Sequence, residues 1–202
     1  MTLTFWLQFA AVCIAGAMSP GPSLALIIRN STKHNRLGGI MSAVGHGLGM
    51  GIYAIFAVTG LSIIILTNIY IFKSIQITGI IFLFIFGILF IFQKNKELII
   101  EDNQKKLNSF LQGFSISILN PKILIWFSAV FSQFVRSDST FLTNSILVIT
   151  ASAIDSIWYI VVVLIVTSYG LKDFFQKRIN AIQKISGSVL VLISMLLIVN
   201  FF

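Results

Sequence analysis

The sequence predicts an all-α integral membrane protein: six transmembrane helices as two inverted three-helix repeats, with the first and fourth helices broken. Three observations carry that prediction. Of 202 residues, 57% are hydrophobic and only 10% charged, against about 25% charged in a soluble domain. Six apolar runs, at roughly 3–28, 38–66, 69–92, 110–135, 141–169 and 183–202, are each near or above the ~20 residues a helix needs to cross a bilayer. Helix-breaking clusters interrupt the first and fourth runs: Ser19-Pro20-Gly21-Pro22-Ser23 and Asn120-Pro121-Lys122. No polar segment is long enough to fold separately. The chain therefore reads as one membrane domain over 1–202, with repeat one at about 1–92, a cytoplasmic linker at about 93–109 and repeat two at about 110–202.

In the first run, Leu3 to Ile28 holds no Asp, Glu, Lys or Arg. Met1 to Leu7 lacks a basic stretch, and the run exceeds a signal peptide's apolar region, so it reads as a retained helix. Pro20 and Pro22 each remove a backbone donor. In lipid, the freed groups must be satisfied within the protein or line a cavity. The second run carries two overlapping small-xxx-small pairs, Gly45/Gly49 and Gly47/Gly51, which let helices approach closely. They could pack inside one chain or between two, which leaves a homodimer open. The third run, rich in Phe and Ile, reads as scaffold or lipid-facing surface.

The second half echoes the first. Phe9 to Pro20 and Phe110 to Pro121 share one spacing, so these prolines align at an offset of 101. The third span of each half opens on Ile-Gln: Ile75-Gln76 with Gly79, and Ile182-Gln183 with Gly187. An odd number of spans per half inverts the second copy. Inverted repeats with broken helices meeting near the midplane are a transporter pattern.

The net charge of +8 does not point to nucleic acid, because the basic residues sit in short loops. Arg29, Lys33 and Arg36 fall in the first loop, Lys94, Lys96, Lys105 and Lys106 in the third, and Lys172, Lys177 and Arg178 in the fifth. The second and fourth loops hold only Lys73 and Arg136. The positive-inside rule then places loops one, three and five in the cytoplasm and both termini outside.

Lys122 and Asp155 are the only Lys, Arg, Asp or Glu residues deep in any run. A charge at the bilayer centre costs about 2.5–3.5 kcal/mol on insertion scales, so each should face a partner or a wet cavity. The two could pair with one another. They could also hold a zwitterion, with Lys122 or the backbone N–H groups near Gly21 on a carboxylate and Asp155 on an ammonium or a coupling proton. His46, among the glycines, could relay protons or bond a neighbouring helix. Trp126 follows Lys122 by four residues and Trp158 follows Asp155 by three, spacings that share a helix face. These indoles could wall a pocket or simply pack. Cys13 is the only cysteine, so there is no intrachain disulfide. Metal-type Cys/His spacing is absent, and no metal or cofactor is expected. One deep carboxylate and one membrane histidine also leave most catalytic sets unbuildable, which argues against an enzyme.

These motifs, in this order and over essentially the whole length, resemble the LysE/RhtB family of amino-acid exporters. Asn120 to Val135 is similar to its homoserine/threonine branch. The resemblance implies export of amino acids or related metabolites from the bacterial cytoplasm across the inner membrane, driven by the proton gradient or membrane potential; the residues alone leave open an exporter of another small solute or ion, or a non-transporting membrane subunit. It maps the family's proline motifs to Pro20, Gly21, Pro22, Asn120 and Pro121, with Lys122 completing the second. Asp155 matches a position that is acidic in some members. Ser23 stands where many members carry Asp or Asn, and a hydroxyl supplies no negative charge. A small neutral substrate is therefore favoured over a cationic one.

Overall fold

The structure, a computed structural model, describes residues 2–92, 108–168 and 171–201, and leaves the side chains of Pro121, Lys122 and most of 171–179 undescribed. Eight α-helices occur among these residues: α1 Leu3–Ala17, α2 Pro22–Lys33, α3 Asn35–Thr67, α4 Ile69–Phe92, α5 Ser109–Ile118, α6 Pro121–Phe134, α7 Phe141–Thr167 and α8 Leu171–Phe201. Four are long and apolar enough to cross a membrane: α3, α4, α7 and the Asn180–Val199 part of α8. The other four form two bent pairs, α1 with α2 at 66° and α5 with α6 at 64°, which brings the spans to six if each pair counts as one.

Proline decides where the second half of each pair starts. Pro22 is the first residue of α2 and Pro121 the first of α6, the position where a missing N–H costs nothing and the ring's fixed φ suits the helix. The first halves end on the C-caps Met18 and Leu119, at the expected offset of 101. Past the breaks the offset is 99, because Pro22 and not Pro20 stands where Pro121 stands. The first break is two residues longer: Pro20 lies within it, ahead of an extended N-cap, Gly21.

The two halves pack through one another. Gly39 meets Val163, and Gly47 meets Ser156 and Ser152. Residue numbers rise along α3 as they fall along α7, so these helices are antiparallel. α4 and α8 cross where a Cβ on Gly87 would lie 2.8 Å from the Gly187 carbonyl oxygen, and one on Gly187 2.6 Å from that of Gly87. The glycines of α3 divide their work between two neighbours. Gly45 and Gly49 lie against α5, at the Phe110 carbonyl and the Ser117 hydroxyl, whereas Gly47 and Gly51 lie against α7. Both pairs are filled within the chain and give no argument for a second copy.

The basic loops are less loop-like than expected. α2 runs to Lys33 and α3 begins at Asn35, so Arg29, Lys33 and Arg36 lie on helices, and Arg29 is 7% exposed. The chain turns between them at His34 and Asn35, whose φ of 62° is a left-handed conformation that asparagine tolerates better than most residues. α8 begins at Leu171, well ahead of its apolar run, so the fifth basic cluster is also helical. The linker at 93–109 and its four lysines fall almost wholly outside the described residues.

The α4/α8 crossing is testable. Gly187→Ala should destabilise the protein in detergent by about 1–3 kcal/mol, the usual cost of overpacking. Gly60→Ala, where a Cβ meets nothing within 4 Å, should be neutral or gain up to about 1 kcal/mol of helix propensity. Equal effects in thermal unfolding would contradict the crossing.

Candidate functional site

Both breaks open on one central cavity of about 60 Å³, room for a few waters or a solute of similar bulk. Ser19, Gly21, Pro22 and Ser23 of the first break line it, with Asn120 of the second. His46 enters from α3, Asp155 and Tyr159 from α7, and Trp126 from α6. The cavity lies where the two apolar clusters of the interior meet: Trp126, Phe127 and Phe131 belong to the larger, Tyr159 to the smaller.

The central interaction is a hydrogen bond of 2.6 Å between His46 Nδ1 and Asp155 Oδ2. The two residues are only 1% and 2% exposed. Local sequence explains their meeting. Gly47, next to His46, lets α7 approach until Ser152 Oγ donates to the Gly47 carbonyl at 2.7 Å, and Ser156, next to Asp155, sits against the same glycine. The flanking side chains are thereby brought within bonding distance. Asp155 was expected to pair with Lys122 if it paired with a charge; the partner found is His46, and the Lys122 side chain lies outside those described. His46 Nε2 is buried with no hydrogen-bond partner, on a residue that lines the cavity.

Tyr159 completes this wall. Its ring stands edge-on to His46 with centroids 4.9 Å apart, and it lines the cavity together with Ser23 of the first break. Tyr159 follows Asp155 by four residues and takes the cavity-facing position that spacing suggested for Trp158. Trp158 instead packs with the cluster of α2, α3 and α7 and does not line the cavity. Pro20 shapes the break without lining the cavity, and the Pro121 side chain lies outside those described. Phe86 of α4, from the run expected to be scaffold, also lines it. A Phe in so Phe-rich a run gave no signal, whereas Tyr159 was within reach of the i, i+4 rule.

The first break adds polarity of opposite sense. No side chain caps α2, so the N–H groups of its first turn lack intrahelical partners, and the helix dipole adds about half a positive charge at that end. An anion attractor and a carboxyl group thus border one small, largely apolar cavity.

Broken helices around a buried cavity with a few polar groups on its wall, in a multi-pass helical bundle, are a transporter pattern. The chain belongs to the LysE type translocator family, which it matches over residues 14–200. It is 24% identical over 205 residues to the uncharacterised membrane protein YrhP of Bacillus subtilis (strain 168), covering 94% of this chain and 95% of that one. It is 29% identical over 139 residues to the threonine efflux protein of Escherichia coli (strain K12), covering 66% and 68%. No solved structure matches the chain significantly.

If His46 and Asp155 act as a pair, their effects on stability are coupled. His46→Leu and Asp155→Asn should each lower the unfolding temperature in detergent. The double variant should fall short of the sum by about 0.5–3 kcal/mol, the range for side chains in contact. Strict additivity in that cycle would dissolve the pair.

Proposed function

We infer that the protein exports a small neutral amino acid, of homoserine or threonine type, from the bacterial cytoplasm across the inner membrane, coupled to the proton gradient or membrane potential. The observation that carries this reading is the single cavity bordered by the uncapped start of α2 and by Asp155 with His46. That layout suits a zwitterion. The substrate carboxylate lies at the N–H groups of Ser23 and Leu24, with Lys122 as a second candidate, and its ammonium lies at Asp155. Trp126 and Phe127 shield both from water. The similarity to a threonine efflux protein and the hydroxyl of Ser23 favour a small, uncharged side chain.

In this mechanism the substrate loads between the broken first and fourth spans, and rocking of the halves opens the cavity to the other face. A proton arriving at the His46–Asp155 pair weakens its hold on the ammonium, which releases substrate and resets the cycle. Moving one charge through 100 mV is worth about 2.3 kcal/mol, near a 50-fold gradient, so one proton per substrate suffices. With loops one, three and five inside, both termini face outward.

Efflux from loaded proteoliposomes, with a panel of amino acids and with or without a pH gradient, tests the reading. Small neutral amino acids should leave fastest, and faster with the gradient. Asp155→Asn should still insert but lose gradient-driven efflux; wild-type flux in that variant removes the carboxyl from the mechanism. Efflux of no amino acid at all by the wild type would sink the reading.

A further inference from the structure

Gly16 lies on the last turn of α1, and the indole of Trp126 lies directly upon it. A Cβ at Gly16 would fall 2.6 Å from Trp126 Cε2 and 2.9 Å from Nε1, closer than side chains approach. Trp126 also meets Phe86 of α4, with ring centroids 5.8 Å apart, and is only 8% exposed. All three residues line the central cavity. The indole is thus held between bare α1 backbone and a second ring, and it forms part of the cavity wall.

The geometry points to the Gly16–Trp126 contact as the size gauge of the site. Glycine at 16 lets the indole sit back against α1, and the indole in turn sets the largest amino-acid side chain the cavity accepts. This inference rests on the export reading above. A methyl group at 16 is fixed to the backbone and cannot yield, so the ring must move into the cavity. A shorter side chain at 126 instead leaves the space to the substrate. The contact joins the first broken span to the fourth, so the gauge is assembled only when both halves are in place. Asp155 and His46, from α7 and α3, take no part in it, which separates size selection from the charge chemistry.

Trp126→Leu, Gly16→Ala and the double variant test this, with efflux of glycine, threonine, valine, leucine and phenylalanine as one readout. Trp126→Leu should raise the leucine-to-threonine ratio on the order of tenfold, the low end of what one methylene is worth in a closed pocket. Gly16→Ala should shift export toward glycine, and the double variant should return toward the wild-type profile. Trp126→Phe should give the same shift as Trp126→Leu but smaller, and serves if the leucine variant does not insert. A second readout needs no transport. Cys13, the only cysteine of the chain, lines the same cavity, so its labelling by small and bulky methanethiosulfonates reports the space beside Trp126. The bulky-to-small ratio should rise in Trp126→Leu and fall in Gly16→Ala. Unchanged labelling ratios, or an unchanged size profile alongside active export, overturn the gauge and leave the export reading standing. Shifted ratios in a protein that exports no amino acid keep the gauge and remove the export reading.

Discussion

A carboxyl group buried at the middle of a membrane bundle must have a partner, and that requirement organises the centre of this structure. Asp155 is bonded to His46 because α3 and α7 cross closely enough, and they cross closely because Gly47 faces Ser152 and Ser156. Any side chain at 47 would separate the helices and leave the carboxyl group unpaired in an apolar interior, a loss far larger than the contact itself. The same helix must also receive α5. Successive pairs of glycines two residues apart point about 200° from one another on a helix, so Gly45 and Gly49 offer one face while Gly47 and Gly51 offer the opposite one. α3 is thereby wedged between the first half-helix of the second repeat and that repeat's long helix. The pair at the centre and the interlocking of the repeats follow from one short stretch of sequence.

The broken spans answer a second form of the same constraint. A helix ended inside a membrane leaves N–H and C=O groups that lipid cannot satisfy. Here the start of α2, which no side chain caps, borders the cavity, and a helix N-terminus is the kind of place that favours an anion. Placing proline first in both α2 and α6 limits the number of orphan donors at each break. What is left is a helix start on one side of the cavity and a carboxyl group on the other.

Much of this was legible in the sequence because the membrane restricts the options. Few charges, six apolar runs and two proline clusters led to the span count and the breaks, and a deep Asp155 led to the cavity. The identity of its partner was not legible. His46 and Asp155 lie 109 positions apart, and only the antiparallel crossing brings them together; the signal available was a histidine flanked by close-approach glycines. Trp158 was misplaced because i+3 and i+4 from Asp155 straddle the cavity direction, and packing chose Tyr159. Arg29 and Lys33 looked like loop residues because charge ends an apolar run, but charge does not end a helix.

The contacts between the broken spans on either side of the breaks differ in chemistry although their helices correspond. Toward the start of α1, Phe9 packs edge-on against Phe131 and Phe134 of α6 at 5.3 and 5.1 Å between centroids, all three essentially fully buried. Toward the end of α2, Asn30 donates to Ser42 at 2.6 Å and to Gln112 of α5 at 3.0 Å. The first seal is α1 on α6; the second is α2 on α5, the same pairing inverted. Parting the aromatic seal would expose rings to water at a cost that scales with area. Parting the amide seal would exchange protein hydrogen bonds for water, where each bond is worth only about 0.5–1.5 kcal/mol net. The two crossings correspond in position along the two halves, and the side chains there make one apolar and the other polar.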